Sequence, residues 1–346
     1  MRIKKEVRKI VASVLAFLMV VSLIPVNSLM TKANAASKTT FEGGKTVEDG
    51  TWKGWTWNVF GSSTDVTKAF ATDTGNGGVT LEVTGDKGKI NGSASDQGLN
   101  TFLYELDKSY DFTITAQAKV DTLAANAQAA FGLTIRDNVG AHGNTAKLTA
   151  DKNNFAFVGG YGNQAASGHG NAGYKTTALA HTRLGESPEV GGTYDLAIQK
   201  VGDSVKLYFN GEVAAECSAD DLITDNAMYV GLFAARNAKV TFNNVKLAYT
   251  QDSSSVKVTT NVTAPKKTTY CAGNTYEDVD LTGFKATVSV DGKEREITAS
   301  DCVVDMSNDP FAEVTDAGKL NLLYLGQTIE AVSYTHLRAH ETRRHL

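Results

Sequence analysis

The amino-acid sequence predicts an all-β fold of antiparallel sheets. Short runs in which apolar and polar residues alternate recur between residues 38 and 250, and turns rich in Gly, Asn and Asp separate them. No long helical period interrupts these runs, and residues 124–130 are expected to form one helical turn at most. The predicted strands are Val79–Thr84, Thr101–Leu106, Phe112–Val120, Ala129–Ile135, Asn154–Val158, Tyr194–Lys200, Val205–Phe209, Met228–Ala234 and Val240–Leu247.

The run Phe112–Val120 shows the alternation clearly. Every second residue from Phe112 is apolar, and the residues between them are Thr, Thr, Gln and Lys. This pattern predicts a strand with one face in the core and the other in water. Asn210-Gly211 follows Val205–Phe209 and predicts a hairpin turn, because both central positions of such a turn favour positive φ.

The strands divide the chain into two predicted domains. Residues 38–250 are enough for one large antiparallel sandwich, and their number of strands favours a jelly roll over an immunoglobulin-type domain. Residues 251–258 are a polar linker. The pattern of residues 259–331 predicts a smaller β domain, in which Asp291-Gly292 forms a hairpin turn. Its predicted strands are Ala286–Val290, Cys302–Val304 and Lys319–Tyr324.

Residues 1–35 have the features of an export signal. A basic leader precedes the apolar run Ile10–Ile24, and Ala33-Asn34-Ala35 offers the small residues of a cleavage site before Ala36. The alternative is a membrane anchor, but fifteen helical residues span about 22 Å, less than a hydrocarbon core of about 30 Å. We expect a secreted, extracellular protein, with cell-wall association left open and no membrane insertion after cleavage.

Residues 332–346 differ from everything before them. Three of the six His residues lie here, and the charge becomes basic. The back-translated sequence resembles a sequencing adaptor read in frame, so we expect this tail to be foreign and the natural chain to continue beyond Ala331. The alternative is a basic tail or a metal site formed by His336, His340 and His345 at helical spacing.

The charge of the chain argues against two classes of partner. The sequence has 34 basic and 38 acidic side chains, and both ends set apart above are more basic than acidic. The remaining residues are therefore strongly acidic. Binding to nucleic acid or to anionic lipid by a basic surface is not expected.

The three cysteines leave two alternatives open. Cys271 and Cys302 lie in the same small domain and are candidates for a disulfide, which an exported chain could form. Free thiols are the other alternative. Cys217 has no partner in its own domain and is expected to act as a small buried apolar residue. No cysteine or histidine cluster has zinc spacing.

Catalytic patterns are missing from residues 38–250. Glu82, Glu105 and Glu212 stand alone in their strands, whereas a retaining glycosidase needs two carboxylates close together. There is no nucleophile elbow and no phosphate-binding loop. We expect the sandwich to be non-catalytic and to need no cofactor. Structural calcium, held by loop Asp and Asn oxygens, stays open.

The three tryptophans are candidates for sugar binding. Trp52, Trp55 and Trp57 lie within six residues near the predicted mature N-terminus. Aromatic faces stack on the C–H faces of pyranose rings, so such a cluster suits a sugar platform. The alternative is that they anchor the first strand in the core.

Polar residues at the sandwich rim are further candidates. The Gly-rich segment 159–182 is expected to be a long loop at the rim, which is either functional or simply mobile. Arg136-Asp137 and Arg236-Asn237 each end a strand, where a planar guanidinium could bind a carboxylate such as that of a uronic acid. Arg136 and Asp137 could equally be a structural pair at the sheet edge. The candidate residues of the segment are Tyr161, Asn163, His169 and Tyr174.

Two segments carry a family resemblance for the large domain. Phe131–Asn138 and Tyr229–Val245 resemble a concanavalin A/laminin-G-like jelly-roll module, and the opening Trp55–Ser62 fits the same pattern. Such modules occur in secreted Gram-positive proteins, often beside pectin-degrading or other polysaccharide-active domains. The resemblance implies glycan binding and brings no shared catalytic residues.

The small domain resembles a bacterial Ig-like domain of surface proteins. The resemblance rests on Thr263–Gly273, Asp280–Val288 and Leu322–Gly326, and it implies a spacer or adhesive module whose last strand is interrupted by the tail. Together these observations predict a non-catalytic glycan-binding part of a larger polysaccharide-degrading enzyme. The full-length protein would then be a polysaccharide lyase, an esterase or a glycoside hydrolase. The alternatives are a surface adhesin or structural protein without enzyme activity, and a sandwich with an unrecognised active site.

Overall fold

The computed structural model describes residues 38–61, 64–90, 97–126, 128–148, 153–164, 168–176, 179–184, 188–312 and 318–337. The expected signal peptide and residues 338–346 of the expected foreign tail lie outside this part of the chain. A search of the described residues finds no helix with the length and apolar character that a membrane span requires.

Residues 39–250 fold into strands joined mostly by short turns, and we call this part the sandwich. Its described residues also include an α-helical turn, α1 (Ala219–Leu222), and 3-10 turns at Gly50–Trp52 and Val66–Lys68. The strands are β1 (Thr39–Thr40), β2 (Trp55–Gly61), β3 (Ala69–Asp73), β4 (Val79–Val83), β5 (Gly98–Asp107), β6 (Asp111–Leu123), β7 (Ala130–Arg136), β8 (Phe155–Gln164), β9 (Gly168–Lys175), β10 (Leu179–Thr182), β11 (Thr193–Val201), β12 (Ser204–Phe209), β13 (Glu212–Ser218), β14 (Ala227–Ala235) and β15 (Ala238–Thr250).

These strands form two antiparallel sheets packed face to face. Within the described residues, an eight-stranded sheet has the order β1-β3-β4-β15-β6-β11-β12-β13, and a seven-stranded sheet has the order β10-β9-β8-β7-β14-β5-β2. Ile114 and Val240 of the first sheet meet Leu133 and Val230 of the second in one apolar core. The all-β jelly-roll sandwich predicted from the alternating pattern is confirmed.

The nine predicted strands of the sandwich all fall on observed strands. The hairpin at Asn210-Gly211 is also confirmed, with φ of 47° and 78° at the two positions. Residues 124–130 form no helix where they are described.

Residues 257–337 form a second set of strands with its own core, and we call this part the small module. Within the described residues, one sheet has the order β16-β18-β19 and the other β17-β22-β21-β20. The Asp291-Gly292 hairpin joins β18 to β19, with φ of 51° and 74°. The strands are β16 (Lys257–Thr263), β17 (Thr269–Cys271), β18 (Lys285–Val290), β19 (Lys293–Thr298), β20 (Val303–Asp305), β21 (Gly318–Tyr324) and β22 (Gln327–Leu337).

Strand β22 continues into the first residues of the expected foreign tail. It pairs with β21 and, in parallel, with β17 as far as Leu337. The origin of the tail, the Ig-like assignment of the small module and the exact domain boundaries stay predictions.

The prediction that one face of β6 lies in water is wrong at its first half. Thr113 and Thr115 are 1% and 7% exposed because the small module covers them. The Leu325 backbone N–H donates to Thr113 Oγ1 (3.1 Å), and Thr115 Oγ1 donates to the Ser300 carbonyl oxygen (2.6 Å). The Thr side chains that the alternating pattern assigned to solvent are therefore part of an interface.

The prediction of a long loop over residues 159–182 is also wrong. This segment contributes to β8, β9 and β10, which form one end of the seven-stranded sheet. The register of β8 against β9 shifts twice, after Val158 and after Tyr161. Glycines accommodate these irregularities, so their abundance reflects strand geometry here.

Candidate functional site

The structure places all three tryptophans inside the sandwich, which contradicts the expected sugar platform. Trp52, Trp55 and Trp57 are 4%, 5% and 8% exposed. Trp55 stacks on Phe102 with ring centroids 5.2 Å apart, and Trp52 meets the same ring edge-on at 5.5 Å. Their faces are covered by other rings, so they are not available to a pyranose. The alternative interpretation, that they anchor the first strand, agrees with this packing.

A buried polar cluster lies on the outer face of the seven-stranded sheet. Arg136 on β7 pairs with Phe155 on β8, which in turn pairs with Lys175 on β9. Arg136 is 0% exposed, and Lys175 is 3% exposed. The Arg136 guanidinium lies 5.1 Å from the ring centroid of Phe155 and 5.6 Å from that of Phe60. Such cation–π contacts favour the charged guanidinium away from water.

Arg136 makes hydrogen bonds to neutral oxygens. Its Nη2 donates to Gln97 Oε1 and to Asn153 Oδ1 (2.8 Å), and its Nε donates to the Asn138 carbonyl oxygen (3.2 Å). Its Nη1 has no hydrogen-bond partner among the described residues, and the charge of the adjacent Asp137 acts on the guanidinium. Burial lowers the pKa of Arg136 to about 10.

Asp137, the next residue, ties the end of β7 to two other segments. Its Oδ1 accepts from the Asn154 backbone N–H (2.9 Å), and its Oδ2 accepts from Thr224 Oγ1 (3.3 Å) just after α1. Burial raises the pKa of Asp137 to about 6, and the positive charge of Arg136 opposes that shift. The structure thus shows Asp137 as a structural residue beside Arg136, with its carboxylate turned to neighbouring backbone and hydroxyl donors.

The side-chain amides of Asn153 and Asn171 each have a hydrogen-bonded oxygen and an unpaired nitrogen. Asn153 Oδ1 accepts from Arg136, whereas Asn153 Nδ2 is buried without a partner among the described residues. Asn171 on β9 likewise accepts the Leu184 backbone N–H at Oδ1 (2.7 Å), and its Nδ2 is unpartnered. Beside them, Lys175 Nζ donates to Asn154 Oδ1 (3.4 Å), and burial lowers the pKa of Lys175.

The other candidates of the Gly-rich segment are only partly described. Tyr161 is half-buried and meets Phe157 edge-on at 5.9 Å, and burial raises its pKa. Tyr174 is half-buried and packs against the sandwich core. Asn163 and His169 belong to β8 and β9, but their side chains lie outside the described residues.

Arg236 and Asn237 form the turn between β14 and β15. Both have positive φ, 54° and 40°. Arg236 Nε donates to the Gly88 carbonyl oxygen (3.1 Å), and the Asn237 backbone N–H donates to that of Gly85 (2.8 Å). These hydrogen bonds hold the turn against the loop that contains Gly85 and Gly88. The Arg236 guanidinium is therefore not part of the polar cluster around Arg136.

The candidate disulfide is not formed. Cys217, Cys271 and Cys302 are free thiols, with Cys271 exposed and Cys302 buried. Cys302 Sγ donates weakly to the Thr298 carbonyl oxygen at 3.6 Å, and burial raises the pKa of its thiol. Cys217 is half-buried against the sandwich core, and burial raises the pKa of its thiol to about 12.

No group of three or more His, Cys, Asp or Glu side chains with metal-binding geometry occurs where the structure describes the chain. The open question of structural calcium therefore stays an expectation without assigned ligands.

Sequence reasoning found Arg136 but missed the residues around it. Gln97, Asn153 and Lys175 come from three separate segments, and no local spacing relates them. One feature of the sequence pointed to this cluster. Arg136 ends an apolar strand, and the alternation of that strand places its charged side chain on a face of the sheet.

No protein-family model matches this chain, but its sequence is similar to that of a known protein. Over 253 residues, or 72% of this chain, the sequence is 30% identical to pectate lyase L of Thermoclostridium stercorarium. The match covers 19% of that protein, so the chain spans only that share of this curated relative.

Two solved structures are similar in chain path. A carbohydrate-binding module, CBM66, from Bacillus subtilis matches 62% of this chain and 96% of its own, with 16% identity and a TM-score of 0.30. Lectin UEA-II, solved with galactose, matches 61% of this chain and 97% of its own, with 12% identity and a TM-score of 0.37.

Proposed function

We propose that this chain is a secreted, non-catalytic glycan-binding part of a longer protein that degrades a plant polysaccharide such as pectin. The observation that carries the proposal is the 30% identity over 253 residues to pectate lyase L, a relative several times the length of this chain. The proposal assigns to this chain attachment to the polysaccharide and leaves bond cleavage to residues elsewhere in the full protein.

The outer face of the seven-stranded sheet is the better of the two sheet faces for a ligand. On the eight-stranded sheet, the small module occupies the outer face around Thr113, Thr115 and Tyr208, which is 2% exposed. On the seven-stranded sheet, the outer face instead has Arg136 and two amide nitrogens that lack acceptors. Buried polar groups are almost always paired, so unpaired donors favour this face as the place where a ligand oxygen binds.

The chemistry of this face suits binding better than catalysis. Asp137 is the carboxylate beside Arg136, and both of its oxygens accept hydrogen bonds from Asn154 and Thr224. A hydrolase of the retaining or inverting type needs a second carboxylate across the scissile bond. The unpaired groups of this face are buried donors, and donors of this kind bind oxygen acceptors.

Affinity-gel retardation tests the proposal. The purified full chain is run through gels that contain polygalacturonate, methyl-esterified pectin, galactan or xylan, with bovine albumin as the reference. Retardation in at least one gel, without release of sugar or of unsaturated product in solution, is the expected result. Unchanged mobility in every gel at high loading would refute glycan binding, and product release would refute the non-catalytic role.

A further inference from the structure

We infer that His142 is a pH-sensitive latch at one edge of the seven-stranded sheet. Its neutral imidazole holds the free edge of β2 closed, and its protonated form releases that edge. The inference concerns the conformation of the sandwich and does not depend on glycan binding, so either can fail without the other.

Strand β2 is the last strand of the seven-stranded sheet among the described residues, and two segments outside the sheet cover its free edge. Backbone N–H groups of the first covering segment, residues 41–47, donate to carbonyl oxygens in the first half of β2 (2.8 Å each). The second covering segment, residues 140–148, makes backbone hydrogen bonds to Val59 and Gly61 (2.8 and 2.9 Å). An uncovered edge strand pairs readily with other strands, so this cover protects the sheet.

The two covering segments meet at the imidazole of His142. The Val59 backbone N–H donates to Nδ1 of this ring (3.2 Å), where a neighbouring strand would offer a carbonyl oxygen. The ring lies 5.0 Å from that of Trp57 between centroids, edge-on at 65°. A Cβ at Gly43 would overlap Cε1 and Nε2 of the imidazole, so the ring packs directly on the backbone of the first covering segment. One side chain of the second covering segment therefore contacts both β2 and the first covering segment.

Protonation of the imidazole breaks this arrangement. Nδ1 accepts the hydrogen bond only while it carries no proton. A proton on Nδ1 would face the Val59 N–H, so two donors would oppose each other and the bond would be lost. The half-buried ring also loses hydration that its positive charge would need. Burial lowers the pKa of His142 from its ordinary value of 6.5, and a hydrogen bond with the Trp57 backbone opposes this shift.

The ionisable side chains of the surrounding elements leave the response to His142. Strand β2 has none. In the first covering segment, Glu42 and Lys45 form an ion pair with each other (2.6 Å), and their side chains are 70% and 68% exposed. In the second covering segment, Lys147 is exposed. Solvent screens charges at such positions, so they contribute little to the energy of the imidazole.

The direction of the pH effect follows from the lowered pKa. The unfolded or opened segment binds the proton of His142 more tightly than the closed one. The latch is therefore fully effective above the ordinary value of 6.5, and its contribution is lost as pH falls through the value of the closed state. We expect the edge to open more often at pH 5.0 than at pH 7.5, while the core strands stay paired.

Amide hydrogen exchange of the full chain at pH 7.5 and pH 5.0, followed at the Val59 amide, measures this opening. Protection factors remove the intrinsic pH dependence of exchange, and we expect the native value to fall by about threefold or more at pH 5.0. His142→Gln keeps an oxygen acceptor for the Val59 N–H but has no group that titrates, so its protection should be equal at both pH values. His181→Gln, on β10, is the matched control and should respond like the native chain.

Two results overturn the inference. The first is the same loss of protection in His142→Gln as in the native chain, in which case another group drives the opening. The second is equal protection of the native Val59 amide at both pH values, which would mean that the edge stays closed whatever the charge of the imidazole.

Discussion

At the scale of single residues, the tryptophans show how one residue type supports two opposite interpretations. Their clustering in sequence suits a sugar platform, yet the β2 alternation places Trp55 and Trp57 on the same inward face of the strand. Trp57 keeps its one polar group satisfied because Nε1 donates to Asn100 Oδ1 (2.7 Å). The cluster therefore contributes to stability rather than to recognition.

Replacing Trp57 with Phe tests this role. The change leaves Asn100 Oδ1 without its donor in a buried site and removes part of the core, so we expect the free energy of unfolding to fall by about 1–3 kcal/mol. Glycan affinity should not change. Urea denaturation and affinity gels measure the two effects. Phe70→Leu, at a ring that is 41% exposed, is the control and should change neither. Loss of binding in a folded Trp57→Phe protein would restore the platform hypothesis.

Asp137 gives stability a defined pH dependence. Its pKa is raised to about 6 in the folded chain, above its usual value of 3.8, so the folded chain holds this proton more tightly than the unfolded chain. The contribution of Asp137 to the free energy of unfolding is therefore greatest at acidic pH and decreases as pH rises from about 4 to about 6.

The measurement is the difference in unfolding free energy between the native chain and Asp137→Asn, followed from pH 4 to pH 8. Other acidic groups with lowered pKa, such as Asp203 and Asp252, change stability in the opposite direction, but they are common to both proteins and cancel. We expect the native chain to lose stability relative to the variant between about pH 4 and about pH 6, with little further change up to pH 8. A constant difference would contradict the raised pKa.

At the scale of elements, glycines permit close contact between β7 and β8. Gly132 and Gly159 are cross-strand partners with φ of 152° and 148°. A Cβ at Gly132 would lie 1.9 Å from the Val158 carbonyl oxygen, so no side chain fits there. These strands carry Arg136 and Phe155, and their unusual geometry positions the polar cluster.

We expect Gly132→Ala to abolish soluble folding or to lower the melting temperature by more than 10 °C, because a backbone atom has to move to relieve the clash. Gly77→Ala is the matched control. Gly77 also has positive φ (71°), but nothing lies within 4 Å of an added Cβ, so its cost is about 1 kcal/mol. Thermal denaturation compares the two. Equal melting temperatures for both variants would contradict the assigned strand pairing.

The elements also show what the sequence could predict. Strands with regular alternation, such as β6 and β15, were predicted because burial of one face imposes a period of two on the sequence. The first half of β8 was predicted, but its second half and β9 were missed because glycines replace the side chains that would reveal the period, and the short β10 was missed with them. The site was found only through Arg136, since Gln97 and Asn153 reach it from distant segments by tertiary contacts.

At the scale of the whole molecule, the small module is held on the sandwich by specific contacts. Tyr276 Oη donates to Asp195 Oδ2 (2.8 Å), and the Met306 backbone N–H donates to the Gly211 carbonyl oxygen (3.2 Å). Burial and the nearby Asp195 charge raise the pKa of Tyr276 well above its usual value. The two parts are therefore expected to unfold together.

Tyr276→Phe removes the hydroxyl and leaves the Asp195 carboxylate with one donor fewer. We expect a loss of about 1–3 kcal/mol, the range for a hydrogen bond to a charged group, and a partial separation of the two unfolding transitions in calorimetry. Tyr249→Phe removes a hydroxyl that is hydrogen-bonded to Tyr104 within the sandwich (3.2 Å); it is the control and should keep a single transition. Two well-separated transitions already in the native chain would contradict a coupled interface.

Hydrogen exchange of the full chain with and without oligogalacturonate tests the central claim most directly, because it locates the bound glycan on the fold. The account predicts slower exchange at saturating ligand in peptides that cover β7, β8 and β9, with no change in those that cover β11 and β12. Protection confined to the eight-stranded sheet or to the small module would contradict binding at the outer face of the seven-stranded sheet.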